Sequence, residues 1–455
     1  MNGTKDKLKC MVPINAPNLD ELFKNKREAD KARAVLQHLF FIGLRMKKDN
    51  GFAPGIDRTS RYLPISASNL KQIVRNYSQV INQLIQHDII EFRVNGEGNK
   101  SYMPGKYTML YRISHSVLKS TTDRKYRMEY ITHPSVIKAV KRYYMRKYDR
   151  QVETAIHQDC WLASTAEFID SLYLNVNPEQ LSRIDINDDT DLDYLTGVVA
   201  NFNNQLQRFF IRDNFGHRLH THVSNLPSVL RPFLRVREND EPLVLIDVTS
   251  AQPYLMGAIF YHNKLIELMK EFEPILPVLQ RYQHDPSVRL FLHDCSTGQF
   301  YQGLMKASGY SKSELKTSLF EHVFYSSLHP YRSDFEKGTK RWKIQQLFCS
   351  KYRGVFELLQ DLKHTTESTL PFVSKISKMY VVPNILATRL ESVLFLDGIT
   401  RQCAEQDIGV ATIHDAWILK KSDQEQFMEV FYGEFKLLGL DPPQVEIKEL
   451  SATLK

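Results

Sequence analysis

The sequence predicts an α+β protein of two or three units, and three patterns carry that prediction. Two short helical stretches followed by strand-like runs occupy the N-terminal third. LVLIDVTS at 243–250 reads as a buried strand ending at an acid, and GVATIHDAWILKK at 409–421 reads as two strands joined by a tight turn. The 455 residues exceed one ordinary domain of about 100–200 residues. Hydrophobic residues at 42% and charged residues at 25% suffice for sizeable cores, which excludes a disordered or fibrous chain. No run approaches the roughly 18 apolar residues of a membrane-spanning helix. The stretch MNGTKDKLKCMVPINAPN has no apolar segment like that of a secretory signal. Five cysteines are scattered with no CxxC pair, which argues for a reducing compartment and against a disulfide framework or cysteine zinc site. The expectation is a cytoplasmic protein without membrane contact.

In the N-terminal third, residues 31–48 have apolar spacing suited to a helix. A short helix follows at about Asn69–Arg75, with Ser66 or Ser68 placed to cap it. After a turn at Asn76–Ser78 comes YSQVINQLIQHD, with Val80, Ile81, Leu84 and Ile85 on its inner face. IIEFRVNGEGNKSYMPGKYTMLYRIS then reads as two strands around a Gly-rich loop. Over residues 30–115 this order resembles a winged helix-turn-helix domain, which implies DNA binding, with Lys71 and Arg75 available to a groove; many such domains are protein-docking modules instead.

The net charge is +8, and the stretch Lys119–Arg150 alone carries ten basic residues against three acids. Lys141, Arg142 and Arg146 lie in it, interleaved with Tyr126, Tyr130, Tyr143, Tyr144 and Tyr148. Cations neutralise phosphates and aromatic faces stack on bases, so the tract suits a nucleic acid. A solvated helix face over packed tyrosines has the same pattern. Asp185, Asp188, Asp189, Asp191 and Asp193 read as a solvated loop, since a calcium loop needs Gly and Glu where Thr190 and Thr196 stand.

In the C-terminal half, Asp247 ends the first predicted strand and Asp415 sits in the tight turn, so the two are able to meet on neighbouring strands. Paired carboxylates repel unless cations bridge them, and magnesium prefers oxygen ligands. A buried turn acid accepting backbone N–H bonds has the same pattern. Three other His-Asp pairs, at 87–88, 284–285 and 293–294, lack the flanking strand pattern. Between the aspartates, SKSELKTSLFEHVFY places Lys312, Lys316, Phe320 and Phe324 at steps of four, one helical stripe that is basic first and aromatic last. Such a stripe suits a triphosphate and a base, and it also suits a core face with snorkelling lysines.

In order and spacing, these motifs over residues 205–450 resemble the family A polymerases, which include bacterial DNA polymerase I and the single-subunit phage RNA polymerases. The resemblance rests on DVTSAQP at 247–253, the stripe at 312–324, TIHDAW at 412–417 and GHRLHTHVSNLPSVLRPFL at 216–234. It implies a right-hand polymerase with palm, fingers and reduced thumb, preceded by the winged helix. The implied divisions are 1–116, a basic helical thumb-like region at 117–240, and a palm at 241–455 with fingers inserted at about 262–335. Asp247 and Asp415 would hold two magnesium ions, with manganese a substitute. Lys316 would act near the leaving group, Lys312 would hold the triphosphate tail, Phe320 would pack on the incoming nucleotide and Phe324 would close the site. Arg218, Arg231 and His414 would contact template or primer. The implied partners are a DNA primer–template and nucleoside triphosphates, and the implied setting is a mobile element, phage or defence system. Two positions depart from the family: Gln252 stands where its DNA polymerases carry a glutamate that rejects ribose, and Phe324 where they carry a tyrosine, with Tyr325 one residue on. A primase or RNA polymerase, a DNA-binding protein with a silent palm, and a metal-dependent nuclease are the competing readings. No proofreading exonuclease is expected before residue 205.

Overall fold

The computed structural model describes residues 7–45, 62–94, 108–119, 124–184, 192–206, 208–325, 338–364, 370 and 382–451. The Gly-rich loop tip at 95–107 and the acids at 185–191 lie outside the described residues.

β1 (Leu8–Pro13) precedes a 20-residue helix, Lys26–Arg45, which begins earlier than the apolar spacing suggests. β2 (Leu63–Pro64), the helices Ala67–Ile73 and Tyr77–Gln86, β3 (Ile90–Phe92) and β4 (Leu110–Ile113) follow. The three strands form a sheet in the order β2-β4-β3. Val80, Ile81 and Leu84 of the second short helix are buried against it, as their i, i+1, i+4 spacing requires. β5 (Tyr126–Ile131) runs antiparallel to β1, from Leu8 opposite Ile131 to Pro13 opposite Tyr126.

Next comes the 25-residue helix Pro134–Gln158. Its N-terminus is held from outside: Asp30 Oδ2 accepts the backbone N–H groups of Thr132 at 2.8 Å and His133 at 2.7 Å. Asp30, itself fully buried, is paired with Arg33, which also bonds Asp20 and Glu129. One hydrophobic core therefore joins Leu8–Phe41 to Tyr126–Tyr144, across the division expected at residue 116. The same packing revises the basic tract. Tyr126, Tyr144 and Tyr148 are buried and unavailable for stacking, whereas Tyr130 is exposed and Tyr143 half-buried. Asp193 is also buried, not solvated; it accepts the N–H groups of Lys125 and Tyr126.

The stretch 117–240 is not purely helical. β6 (Leu172–Leu174) pairs with β9 (Leu234–Val236), and β7 (Phe210–Arg212) with β8 (Leu219–Thr221). The main sheet follows: β10 (Leu243–Val248), β11 (Val410–Ile413), β12 (Ala416–Lys420) and β13 (Val445–Glu449), antiparallel in the order β11-β12-β10-β13. Period-2 alternation sends its two faces to different cores. Val244, Ile246, Val248, Trp417 and Leu419 enter the core of the C-terminal helices. Leu243, Leu245, Ala416 and Ile418 enter the core built by residues 148–236. Ile246 and Trp417 face each other across the ladder, both fully buried. Such burial contributes about 1.5–3 kcal/mol for a side chain of this size. β10 is covered on both faces and paired on both edges, so its register is firmly specified.

The helix Ala251–Tyr261 leaves β10 and is apolar on every side, hence buried. It crosses the helix Pro286–Ser296 at Gly257, where a Cβ would stand 3.1 Å from the Leu292 Cα. Helices Gln299–Ser308, Lys312–Leu319, Lys340–Lys351, Arg353–Lys363 and Val382–Glu391 pack into the core on the Val244–Ile246 face of the sheet.

Candidate active site

Asp247 is the last residue of β10 on the Leu243–Leu245 face. Its partner across the ladder is Ala416, directly after the His414–Asp415 turn, and the Val248 N–H donates to the Asp415 carbonyl at 3.1 Å. The two aspartates thus come together at one end of the sheet. Strained backbone flanks both. His414 has φ 56° and Ser250, three residues past Asp247, has φ 60°. A non-glycine residue there costs on the order of 1–3 kcal/mol, and such outliers gather at functional sites. Among the described residues, the buried His414 Nδ1 and Ser250 Oγ have no hydrogen-bond partner.

Burial raises the Asp247 pKa, and the charge of Asp415 raises it further. Asp415 is pushed up to about 6, first by burial and then by the charge of Glu391. The Lys316 ammonium lowers both, which places it within electrostatic reach of the pair. Burial, helped by Arg218, His220 and Arg231, takes His414 down to about 4, so its imidazole is neutral at pH 7. Arg231 donates to the Leu226 carbonyl at 3.3 Å and feels the charge of Asp247.

Lys316 is delivered by the helix Lys312–Leu319. Its start is a capping box: Ser311 Oγ accepts the Glu314 N–H at 3.3 Å, and the Glu314 carboxylate accepts the Ser311 N–H at 2.8 Å. Lys312 and Lys316 are exposed. The stripe then departs from its four-residue step. Phe320–Phe324 form a π-turn, in which the Tyr325 N–H bonds the Phe320 carbonyl at 3.0 Å. One extra residue in the turn rotates everything after it. Phe324 is carried inward, fully buried with its ring 5.6 Å from that of Phe348. Tyr325 takes the place on the face, 5.2 Å from the half-buried Phe320 ring. The position expected of Phe324 belongs to Tyr325. Buried Lys363 secures the turn by donating from Nζ to the Val323 carbonyl.

The Tyr325 hydroxyl donates to Gln252 Oε1 at 3.2 Å, and Gln252 Nε2 donates to Glu391 Oε2 at 2.5 Å. Both Glu391 oxygens also receive Arg218, from Nε and Nη2, each at 2.6 Å. Gly216 lets the β7–β8 turn approach closely enough for this, since a Cβ there would fall 2.4 Å from Thr388 Cγ2. Glu391 was not expected from the sequence; its only signal is an acid set in the apolar run LESVLFL. The structure therefore gathers Asp247, Asp415, Lys316, Gln252, Arg218, Arg231 and His414 around one end of the sheet. Apart from Lys312, the other predicted cations stand on or beside the helices Ala67–Ile73 and Pro134–Gln158. Lys71 and Arg75 are exposed on and just after the helix Ala67–Ile73. Lys141 and Arg142 line a groove of about 640 Å³ with Ile137, Lys138 and Met145, and Arg146 is exposed on the same helix.

Among the described residues no three His, Cys, Asp or Glu side chains cluster as a metal site. Two carboxylates whose ionisation is opposed by burial and by neighbouring acids nevertheless form a donor pair that a hard divalent cation relieves. Magnesium binds through one or two carboxylates while keeping waters, and fits that pair. No described helix is long and apolar enough to cross a membrane.

No protein-family profile matches the sequence, and no curated protein matches it. Among solved structures, the polymerase domain of Pol1 from M. smegmatis, in complex with a DNA primer-template and dNTP, is similar over 69% of this chain and 65% of that chain, at 12% identity and TM-score 0.30. The chain spans less than two thirds of that structure.

Proposed function

We propose that the chain is a template-directed nucleic-acid polymerase that extends a primer with deoxynucleoside triphosphates and does not proofread. One observation carries the reading: Asp247 near the end of β10 and Asp415 in the turn before the adjacent β12 come together, with the charge of Lys316, exposed on the helix Lys312–Leu319, acting on both. Residues 241–261 and 376–455 act as palm, and 262–335 as fingers. Residues 117–240 act as a reduced thumb, and the N-terminal unit, with its β2-β4-β3 sheet beside two short helices, as a winged helix on DNA.

Asp247 and Asp415 would hold two magnesium ions, whose chemistry would be to acidify the primer 3′-hydroxyl and neutralise the departing pyrophosphate. The side chains of the chain do the rest. Asp247 and Asp415 supply oxygen ligands from a rigid ladder. Lys316 sets a positive charge beside the phosphates, and Lys312 holds their distal end. Phe320 and Tyr325 flank the base, and Gln252 meets Tyr325 beneath the sugar. Arg218 and Arg231 face the nucleic-acid backbone, and neutral His414 lies against the primer end.

The test is extension of a labelled primer–template with magnesium, with deoxy- and ribonucleotides supplied separately beside Asp247→Ala. Template-dependent extension from deoxynucleotides that the substitution abolishes is the expected result. Ribonucleotide synthesis without a primer would make it a primase, and degradation of DNA without triphosphates a nuclease. Duplex binding with no extension from either pool would sink the enzymatic reading in favour of a DNA-binding protein.

A further inference from the structure

Tyr325, Gln252, Glu391 and Arg218 come from four separate parts of the chain, and each contact fixes the direction of the next. The Glu391 residue is 2% exposed, so its carboxylate depends on protein donors. Arg218 supplies a fork of two bonds and Gln252 Nε2 a third. That third bond decides which way the Gln252 amide faces. With its NH2 turned to Glu391, its carbonyl oxygen is left for the Tyr325 hydroxyl. A flipped amide would set oxygen against oxygen at Glu391.

We infer that Glu391 is a positioning residue: it orients the Gln252 amide and thereby sets where Tyr325, at the end of the π-turn, stops relative to the two aspartates. Carboxylate and amide form one unit that needs one charged and one neutral member, and the Arg218 fork favours the charge at Glu391. Two carboxylates would repel, and two amides would leave Arg218 without its counter-charge. The pairing stands on geometry alone, and its effect on nucleotide affinity rests on the polymerase reading.

The experiment compares Q252E, E391Q and the double variant Q252E/E391Q in the full chain, by thermal melting and by extension kinetics. Q252E should lower the melting temperature and raise the nucleotide KM about tenfold, the loss of one buried hydrogen bond, with a smaller change in kcat. E391Q should also lose stability, through Arg218. In the double variant the two groups have changed places, and the melting temperature should rise above that of Q252E while KM returns to within about threefold of wild type. Losses that simply add in the double variant overturn the inference. Recovered melting temperatures in a protein that never extends a primer uphold the pair and sink the polymerase reading. Additive losses in an active enzyme do the reverse.

Discussion

Asp415 is where stability and activity pull apart. Burial and Glu391 hold its pKa at about 6, against an ordinary 3.8. Between those values the folded chain keeps a proton that the unfolded chain has lost, so stability falls as pH rises through the window and stays reduced above pH 6. Two pKa units correspond to about 3 kcal/mol. Asp415→Asn should therefore abolish extension and yet melt at a higher temperature than wild type at pH 7.5. Its advantage should shrink below pH 6 and be gone near pH 4, which melts across that range would show. A variant less stable than wild type at pH 7.5 would mean that the carboxylate is not under electrostatic stress. Both aspartates were legible in the sequence because period-2 strand patterns frame them. Glu391 was not, because its significance is a fork from Arg218, which lies far upstream, and no local pattern encodes such a contact.

The π-turn has the most specific consequences among the elements. It separates two neighbouring aromatics that a four-residue step confuses: Phe324 is buried in the core, and Tyr325 bonds Gln252. Phe324→Ala should lower stability by about 3–5 kcal/mol through the cavity it leaves, measured by denaturant unfolding. Tyr325→Phe removes one half-buried donor; it should change stability by under about 1.5 kcal/mol and raise nucleotide KM several-fold. The opposite assignment, a silent Tyr325 and a kinetic Phe324, would mean that the helix runs on as α. The stripe up to Phe320 was legible from its spacing. The turn after it was not, since FEHVFY carries no marker of an added residue. β1 and β5, six residues each, were missed as well: β1 has no period-2 alternation, and β5 lies in a strongly basic run.

For the whole molecule, the long helix Pro134–Gln158 ties the units together. Its first half belongs to the core of residues 8–113, and its second half, from Tyr148, to the core behind the main sheet. A fragment beginning at residue 117 would leave β5 without β1 and expose Ile131, Val136, Ile137 and Val140. It should aggregate on expression, a soluble, monomeric, cooperatively melting fragment being the outcome that overturns this. Composition and charge predicted several units but not this division, because a shared core is a matter of which surfaces touch. The central place of β10 bears finally on how the protein is made. Neither neighbour of this apolar strand exists until residue 416 and then residue 445 have been joined. At about 5–20 residues per second, the strand bearing Asp247 waits on the order of ten seconds during synthesis with both edges open. Codon changes that slow translation between residues 250 and 410 should lower soluble yield without altering a single amino acid.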